Sequence, residues 1–195
     1  MSLSKLALPA VLLAAYAGTA LAKPVTYVCD PAHTYPSFAA DHFGGLSVWR
    51  GKFTQSACTI VLNREQKTGK VEVTVQTSSV DFGMPKLNEH AQTKDLFDVA
   101  KYPTATYKGT LADFVNGKPT KLVGNFTLHG QTHPLTLTIR TFECKAVPMM
   151  HQYRCGADAA GEFQRDQYGM DMGKSFGFQM WVRLQIQVEA VRQGS

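Results

Sequence analysis

Every second residue from Phe178 to Ala190 is apolar: Phe178, Met180, Val182, Leu184, Ile186, Val188 and Ala190 fall on one face of an extended chain. The positions between them carry Gln179, Arg183, Gln185, Gln187 and Glu189, with Trp181 as the exception. A repeat of two is that of a half-buried strand; on a helix the same side chains would scatter around the axis. The repeat returns in "KVEVTVQ" through Val71, Val73 and Val75, and in "LTLTI" through Leu135, Leu137 and Ile139. Further strands are predicted near 26–30, 36–43, 48–54, 57–63, 104–114, 121–128 and 152–164. Turn-forming stretches such as "NREQKTGK" and "VNGKPTK" separate many of them. Pro85 to Pro103 breaks the rhythm: Leu87, Ala91, Leu96 and Phe97 approach helical spacing and Pro85 is placed to open a helix, so one or two short helices are predicted there.

So many antiparallel strands in one chain need their edges closed or covered, and a barrel closes them outright. Period two does not say whether the apolar face points inward or to lipid, which makes an outer-membrane barrel the rival. Against it, no aromatic girdles mark the strand ends and the chain closes on "EAVRQGS" without a terminal aromatic residue. Lys108, Arg140 and Arg183 also fall inside predicted strands, where a lipid-facing position is costly. The expected fold is therefore all-β: a single antiparallel barrel with its apolar face inward. No repeat or interdomain linker divides it.

The first 22 residues change the setting. Lys5 precedes an apolar run from Leu6 to about Ala17, and Ala20-Leu21-Ala22 offers a small-x-small cleavage site, the pattern of a secretory signal peptide at 1–22. The run is shorter than the roughly 20 apolar residues of a membrane span. The domain is then expected over 23–195, in the periplasm. Of 20 Lys and Arg only Lys5 lies in the leader, and none of the 15 Asp and Glu does, so the remainder has a net charge of +4. The cations are dispersed and not interleaved with aromatics, so nucleic acid is not expected as a partner; a mildly basic surface favours approach to anionic headgroups.

An even number of cysteines in an exported chain favours disulfides, and four allow three pairings. "TFECKAVPMMHQYRCGA" puts Cys144 at the end of one predicted strand and Cys155 near the start of the next, so these two are expected to bridge, leaving Cys29 for Cys58. No C-x-x-C occurs. In "NFTLHGQTHPLTL", His129 and His133 have the i, i+4 spacing that clips a metal on a helix, but here they flank a hairpin turn around Gly130 between two alternating runs. Two imidazoles without a third ligand make a poor zinc site, and no metal or other cofactor is expected. No nucleophile elbow, H-E-x-x-H or phosphate loop occurs, and no catalytic residue is assigned.

The same turn carries a family resemblance. "GNFTLHGQTHPLTL" resembles the G-[DN]-[LF]-T-[IL]-x-G-x-T-x-P-[VL]-T-[LF] hairpin of the YceI-like family of exported bacterial proteins, through Gly124, Thr127, Gly130, Thr132 and Pro134. "YVCDPAHTYPSFAADHFG" is similar to the family's opening element through Tyr27, Asp30, His33, Thr34, Phe38 and His42, and Gly51 to Phe53 matches its G-K-F. "DLFDVAKYPTATY" looks like a further element, and "FQRDQYGM" fits R-x-[DE]-[FWY]-G-[ML] through Arg165, Tyr168, Gly169 and Met170. Gln167 stands where that motif is often acidic, and Cys29 replaces an aliphatic residue.

The resemblance implies a lipocalin-like up-and-down β-barrel of about eight strands, whose pore holds an amphiphile with an isoprenoid or fatty chain. A barrel of that size is wide enough either to be filled by side chains or to hold one small ligand. Burying a CH₂ is worth about 0.8 kcal/mol, so a sixteen-carbon tail offers roughly 12 kcal/mol gross, ample for a carrier. Expected pore-lining residues are Phe38, His42, Phe43, Met84, Leu87, His90, Leu96, Phe97, Arg165, Tyr168, Met170, Met172, Phe176 and Phe178. Arg165 is a candidate partner for an anionic head or for Asp166 and the neighbourhood of Asp171. A carrier of isoprenoid, isoprenoid quinone or fatty-acid-like lipid is the leading function, exchanging with a membrane or membrane-protein donor and acceptor, as a monomer or homodimer. A hydrolase or isomerase acting on an apolar substrate, and a ligand-free partner-binding module, are the alternatives.

Overall fold

The computed structural model describes residues 23–194, so the leader expected at 1–22 lies outside the described residues. The strands are β1 (Val25–Cys29), β2 (Tyr35–His42), β3 (Ser47–Phe53), β4 (Ser56–Asn63), β5 (Thr68–Gln76), β6 (Val80–Asp81), β7 (Thr104–Val115), β8 (Lys118–Leu128), β9 (Gln131–Val147), β10 (Gln152–Gln164) and β11 (Trp181–Arg192). Helix α1 (Pro85–Gln92) follows β6 and carries Pro85 in its first turn, where a missing N–H costs nothing. The sequence places one or two short helices across 85–103; the α-helical part ends at Gln92, and turns carry the rest.

All pairings are antiparallel, and the ring closes because β11 pairs with β10 on one edge and with both β1 and β2 on the other. β1 and β2 are two halves of one wall strand, broken between Asp30 and Thr34; β3 and β4 are likewise two halves, and β6 continues β5. Counted as walls, the barrel has eight strands in up-and-down order. The closed antiparallel barrel is the one expected from the pattern and its eight-strand up-and-down order the one the resemblance implies, with strand ends within a few residues of those predicted.

The exception is β9, where the alternation read from "LTLTI" stops at Ile139 although the strand runs to Val147. A β-bulge explains it. Asp158 pairs with Thr141 while Ala159 pairs with Ile139, so one extra residue shifts the inward face to Phe142 and Cys144.

The two ends of the barrel differ. Cys144 lies opposite Cys155, Cys155 opposite Ala190, and Ala190 opposite Cys29, which is bonded to Cys58. The disulfides Cys29–Cys58 and Cys144–Cys155, with Cα separations of 5.1 and 4.0 Å, thus form one inward belt across five strands. Ala190 between them is fully buried. Beyond the belt, Tyr27 and Leu62 pack into the same core and close that end. Beside it, buried Arg154 pairs with Asp30 at 2.9 Å and Glu189 at 3.0 Å and donates through Nε to Gln152. The opposite end is covered by α1, the loop after it, the β2–β3 turn and the segment 165–180. There Phe38, Val80, Ala91 and Val182 form a core cluster of their own.

Candidate functional site

The inward faces of the eight walls do not fill the barrel. A cavity of about 520 Å³ runs from Cys58 and Leu111 near the disulfide belt to Asp41, His42, Phe43 and Trp49 at the covered end. Its origin is local. β10 presents Ala157 and Ala159 inward, β2 presents Ala40 and β7 presents Ala105, where neighbouring walls carry Leu, Ile and Phe. Lining residues such as Ile60, Val71, Leu135, Leu184 and Ile186 make the middle of the cavity apolar. Tyr107 is the polar group deepest in it, but its hydroxyl donates toward the carbonyls of Leu135 (2.8 Å) and Leu122 (3.1 Å). Burial pushes that phenol up to about 12, so it stays neutral.

The mouth is polar at a few points only. His42 stacks on Trp49 with centroids 4.2 Å apart and meets Phe43 and Phe178 edge-on at 4.4 and 5.5 Å. Asp41 is buried and accepts backbone N–H bonds from Gly44 (2.8 Å), Gly45 (2.6 Å) and Gln179 (2.8 Å), tying the β2–β3 turn to the segment before β11. Burial pushes its carboxyl up, and the three donors outweigh that and hold it below the usual aspartate range. Leu87 and His90 of α1, then Leu96 and Phe97, complete the cover; Phe97 meets Phe53 at 5.5 Å.

Arg165 lies at the end of β10, 7% exposed and on the cavity wall. It forms no pair with Asp166, which instead holds Lys174 at 2.7 Å. Its terminal nitrogens Nη1 and Nη2 donate to the carbonyls of Met170 and Met172, both at 2.7 Å, which fixes the loop. Desolvation lowers its pKa, with Asp166, Asp171 and Asp41 near enough to oppose the shift. The histidine pair serves the same loop from the β8–β9 hairpin. His129 and Gly130 are both at positive φ and form the β8–β9 turn, a conformation that Gly takes without strain. From there His129 Nδ1 donates to the carbonyl of Tyr168 (3.1 Å) and His133 Nε2 to that of Gln167 (2.9 Å). Among the described residues no group of three or more His, Cys, Asp or Glu is placed to hold a metal.

Of the residues singled out in the sequence, Phe38, His42, Phe43, Leu87, His90, Leu96, Phe97, Arg165, Met170, Met172 and Phe178 are on the cavity surface. Three are elsewhere. Met84 precedes α1 and is 55% exposed, and Phe176 sits on a tight turn and is 78% exposed. Tyr168 is buried in the core beside the cavity, among Phe126, Phe163 and His133. Sequence reasoning misses Trp49, Phe53, Phe82, Phe126, Phe163 and the small residues of β10. Strand parity places Phe163 with Cys155 and Ala159 and could have found it, but helix-like spacing and methionine content point to the loops instead.

A YceI-like domain matches residues 27–190. A UPF0312 protein of Pectobacterium atrosepticum is 30% identical over 191 residues, covering 96% of each chain. Among solved structures, Burkholderia cenocepacia BcnA superposes with a TM-score of 0.65 at 18% identity, covering 83% of this chain and 98% of that one. A polyisoprenoid binding domain from Saccharophagus degradans superposes with a TM-score of 0.59 at 13% identity, covering 85% and 97%. The barrel, the five ordered sequence elements and the match across nearly the whole described chain agree, and the protein belongs to the YceI-like family.

Proposed function

We propose that the barrel carries the apolar chain of an amphiphile, an isoprenoid, isoprenoid quinone or fatty-acid-like lipid, with its head at the mouth beside His42 and His90. The observation behind this reading is the cavity itself: alanines stand at the inward positions where larger side chains would have filled the barrel. Its volume is within the roughly 300–1,000 Å³ of small-molecule sites, and each CH₂ moved from water into it contributes about 0.8 kcal/mol. The Saccharophagus neighbour, a polyisoprenoid binding domain, supports the same ligand class. Carriage is favoured over turnover because Asp41, Tyr107 and Arg165 direct their hydrogen bonds to backbone groups and none activates another. Two disulfides fit an oxidising compartment and support action in the periplasm.

Organic extracts of the purified protein, analysed by mass spectrometry, should yield an apolar amphiphile near one equivalent, and stripped protein should take up a long-chain polyprenol or fatty acid from cyclodextrin. Ala159→Trp puts an indole into the cavity and should abolish uptake while circular dichroism stays that of the parent. A stripped wild type that takes up neither ligand, or an Ala159→Trp variant that takes up as much as the parent, overturns the proposal.

A further inference from the structure

Large apolar side chains gather outside the mouth as well as inside it. Leu46 and Phe176 are each 78% exposed, Phe43 55% and Val48 37%. Singly, exposed apolar residues need no explanation. Here Phe43, Leu46 and Phe176 come from two loops that the fold locks together, and Val48 stands beside them at the start of β3. Asp41 binds both loops, Phe43 and Phe178 are 4.7 Å apart, and a Cβ on Gly44 would lie 2.8 Å from the carbonyl oxygen of Gly177. The platform is thus preformed, and Phe43 belongs both to it and to the cavity lining, so the apolar surface continues from the pore to the outside. At the closed end, exposed Val115 and Met149 lie on separate hairpins, and neither lines the cavity.

The surface behind the platform carries cations and an aromatic ring, with Arg183 also paired to Glu162 at 2.9 Å. On β3, Val48, Arg50 and Lys52 alternate with the inward residues and face out. Arg50 is therefore about 7 Å further from the tip than Val48, at roughly 3.3 Å per strand residue. Trp181 and Arg183, at the start of β11, stack at 4.2 Å on the same side, since Arg183 lies opposite Ala39, the cross-strand partner of Arg50. An apolar tip backed by a Trp and cation layer at that depth matches a phospholipid interface, where apolar groups enter about 5–10 Å and Arg and Lys meet the phosphates.

We infer that the rim formed by Phe43, Leu46 and Phe176 docks on a phospholipid bilayer, holding the cavity mouth against the acyl layer so that the ligand passes without crossing water. This rests on the carrier reading above for its purpose, but not for its test. Trp49 and Trp181, the two tryptophans of the chain, both stand at this end and report on it. Stripped wild-type protein should co-float with vesicles of phosphatidylcholine and phosphatidylglycerol, and vesicles containing brominated phosphatidylcholine should quench its tryptophan emission. Leu46→Ser with Phe176→Ser should lower vesicle affinity about a hundredfold, from the loss of two inserted side chains. Neither residue lines the cavity, so polyprenol uptake from cyclodextrin should be unchanged in that variant. Absence of flotation and quenching in the wild type, or undiminished binding by the double variant, overturns the docking inference. So does a concentration-dependent dimer that the double variant abolishes, without vesicle binding, because the rim would then face a second copy. Loss of polyprenol uptake by the wild type while flotation persists defeats the carrier reading and leaves docking intact.

Discussion

Two arginines, equally buried at 7% exposure, hold the two ends of this barrel in different ways. Arg154 at the closed end is met by two carboxylates and a glutamine, and beside it two disulfides join four of the five strands in their belt. Arg165 at the mouth is met by two backbone carbonyls, in a loop held otherwise by histidine–carbonyl bonds, the exposed Lys174–Asp166 pair and ring contacts. The closed end places its cross-links on strands, where displacement would open the barrel. The mouth is secured by bonds to loop backbone, each worth about a kcal/mol and separately breakable. An end built in this way can admit a ligand while the other keeps its shape.

The largest break in that contrast should come from the belt. Cys29→Ala with Cys58→Ala opens a loop with a sequence separation of 29 and should cost about 3–4 kcal/mol in urea unfolding, through the entropy returned to the unfolded chain. A loss under about 1 kcal/mol would mean that the closed end is held by packing alone. Arg154→Met strands Asp30 and Glu189 without their cation. Asp30 is largely buried but Glu189 is not, so we expect about 2–3 kcal/mol, below the range for a fully buried pair.

Arg165→Met should cost less, about 1–2 kcal/mol, since it removes two carbonyl bonds together with a desolvated charge. Its signature is local: amide exchange should accelerate across 165–180 with no change at Cys144 or Cys155. Uniform acceleration would place Arg165 in the global core and erase the distinction between the ends. The smallest effect concerns acid. Asp41 titrates below its ordinary value of 3.8, so its support for the rim is present above that pH and is lost as pH falls through the lower folded value. Trp49 emission should therefore change in that acid window, and Asp41→Asn should show the altered emission already at neutral pH. An unchanged acid profile in the variant would exclude Asp41 as the clasp. Asp30 at the closed end is also held low, chiefly by His33 and against some desolvation, so the global acid transition should persist in Asp41→Asn.

Period two, the turns and the cysteine spacing were enough to define walls, inward faces and both bridges, because each is a property of the pleated backbone or of neighbouring strands. Phe38 and His42 show this on β2: they share a parity, and both reach the cavity. Loop residues were another matter. Met84, Tyr168 and Phe176 have the composition of pore-lining side chains, yet two face solvent and one is packed into the core beside the cavity, since outside a strand no local repeat fixes direction. The partners of Arg165 and the histidines were equally invisible, because a backbone carbonyl leaves no mark in the sequence.

The alternation of apolar and polar residues is enough for a closed antiparallel barrel with an apolar interior. That the interior is not full emerges only once the walls are assembled. Parity tells which side chains point inward, but space is the difference between the barrel's volume and all eight inward faces together. Ala157 and Ala159 open a cavity only because of what stands across from them. The β9 bulge, which returns Phe142 and Cys144 to the inside, likewise emerges only from the pairing of β9 with β10.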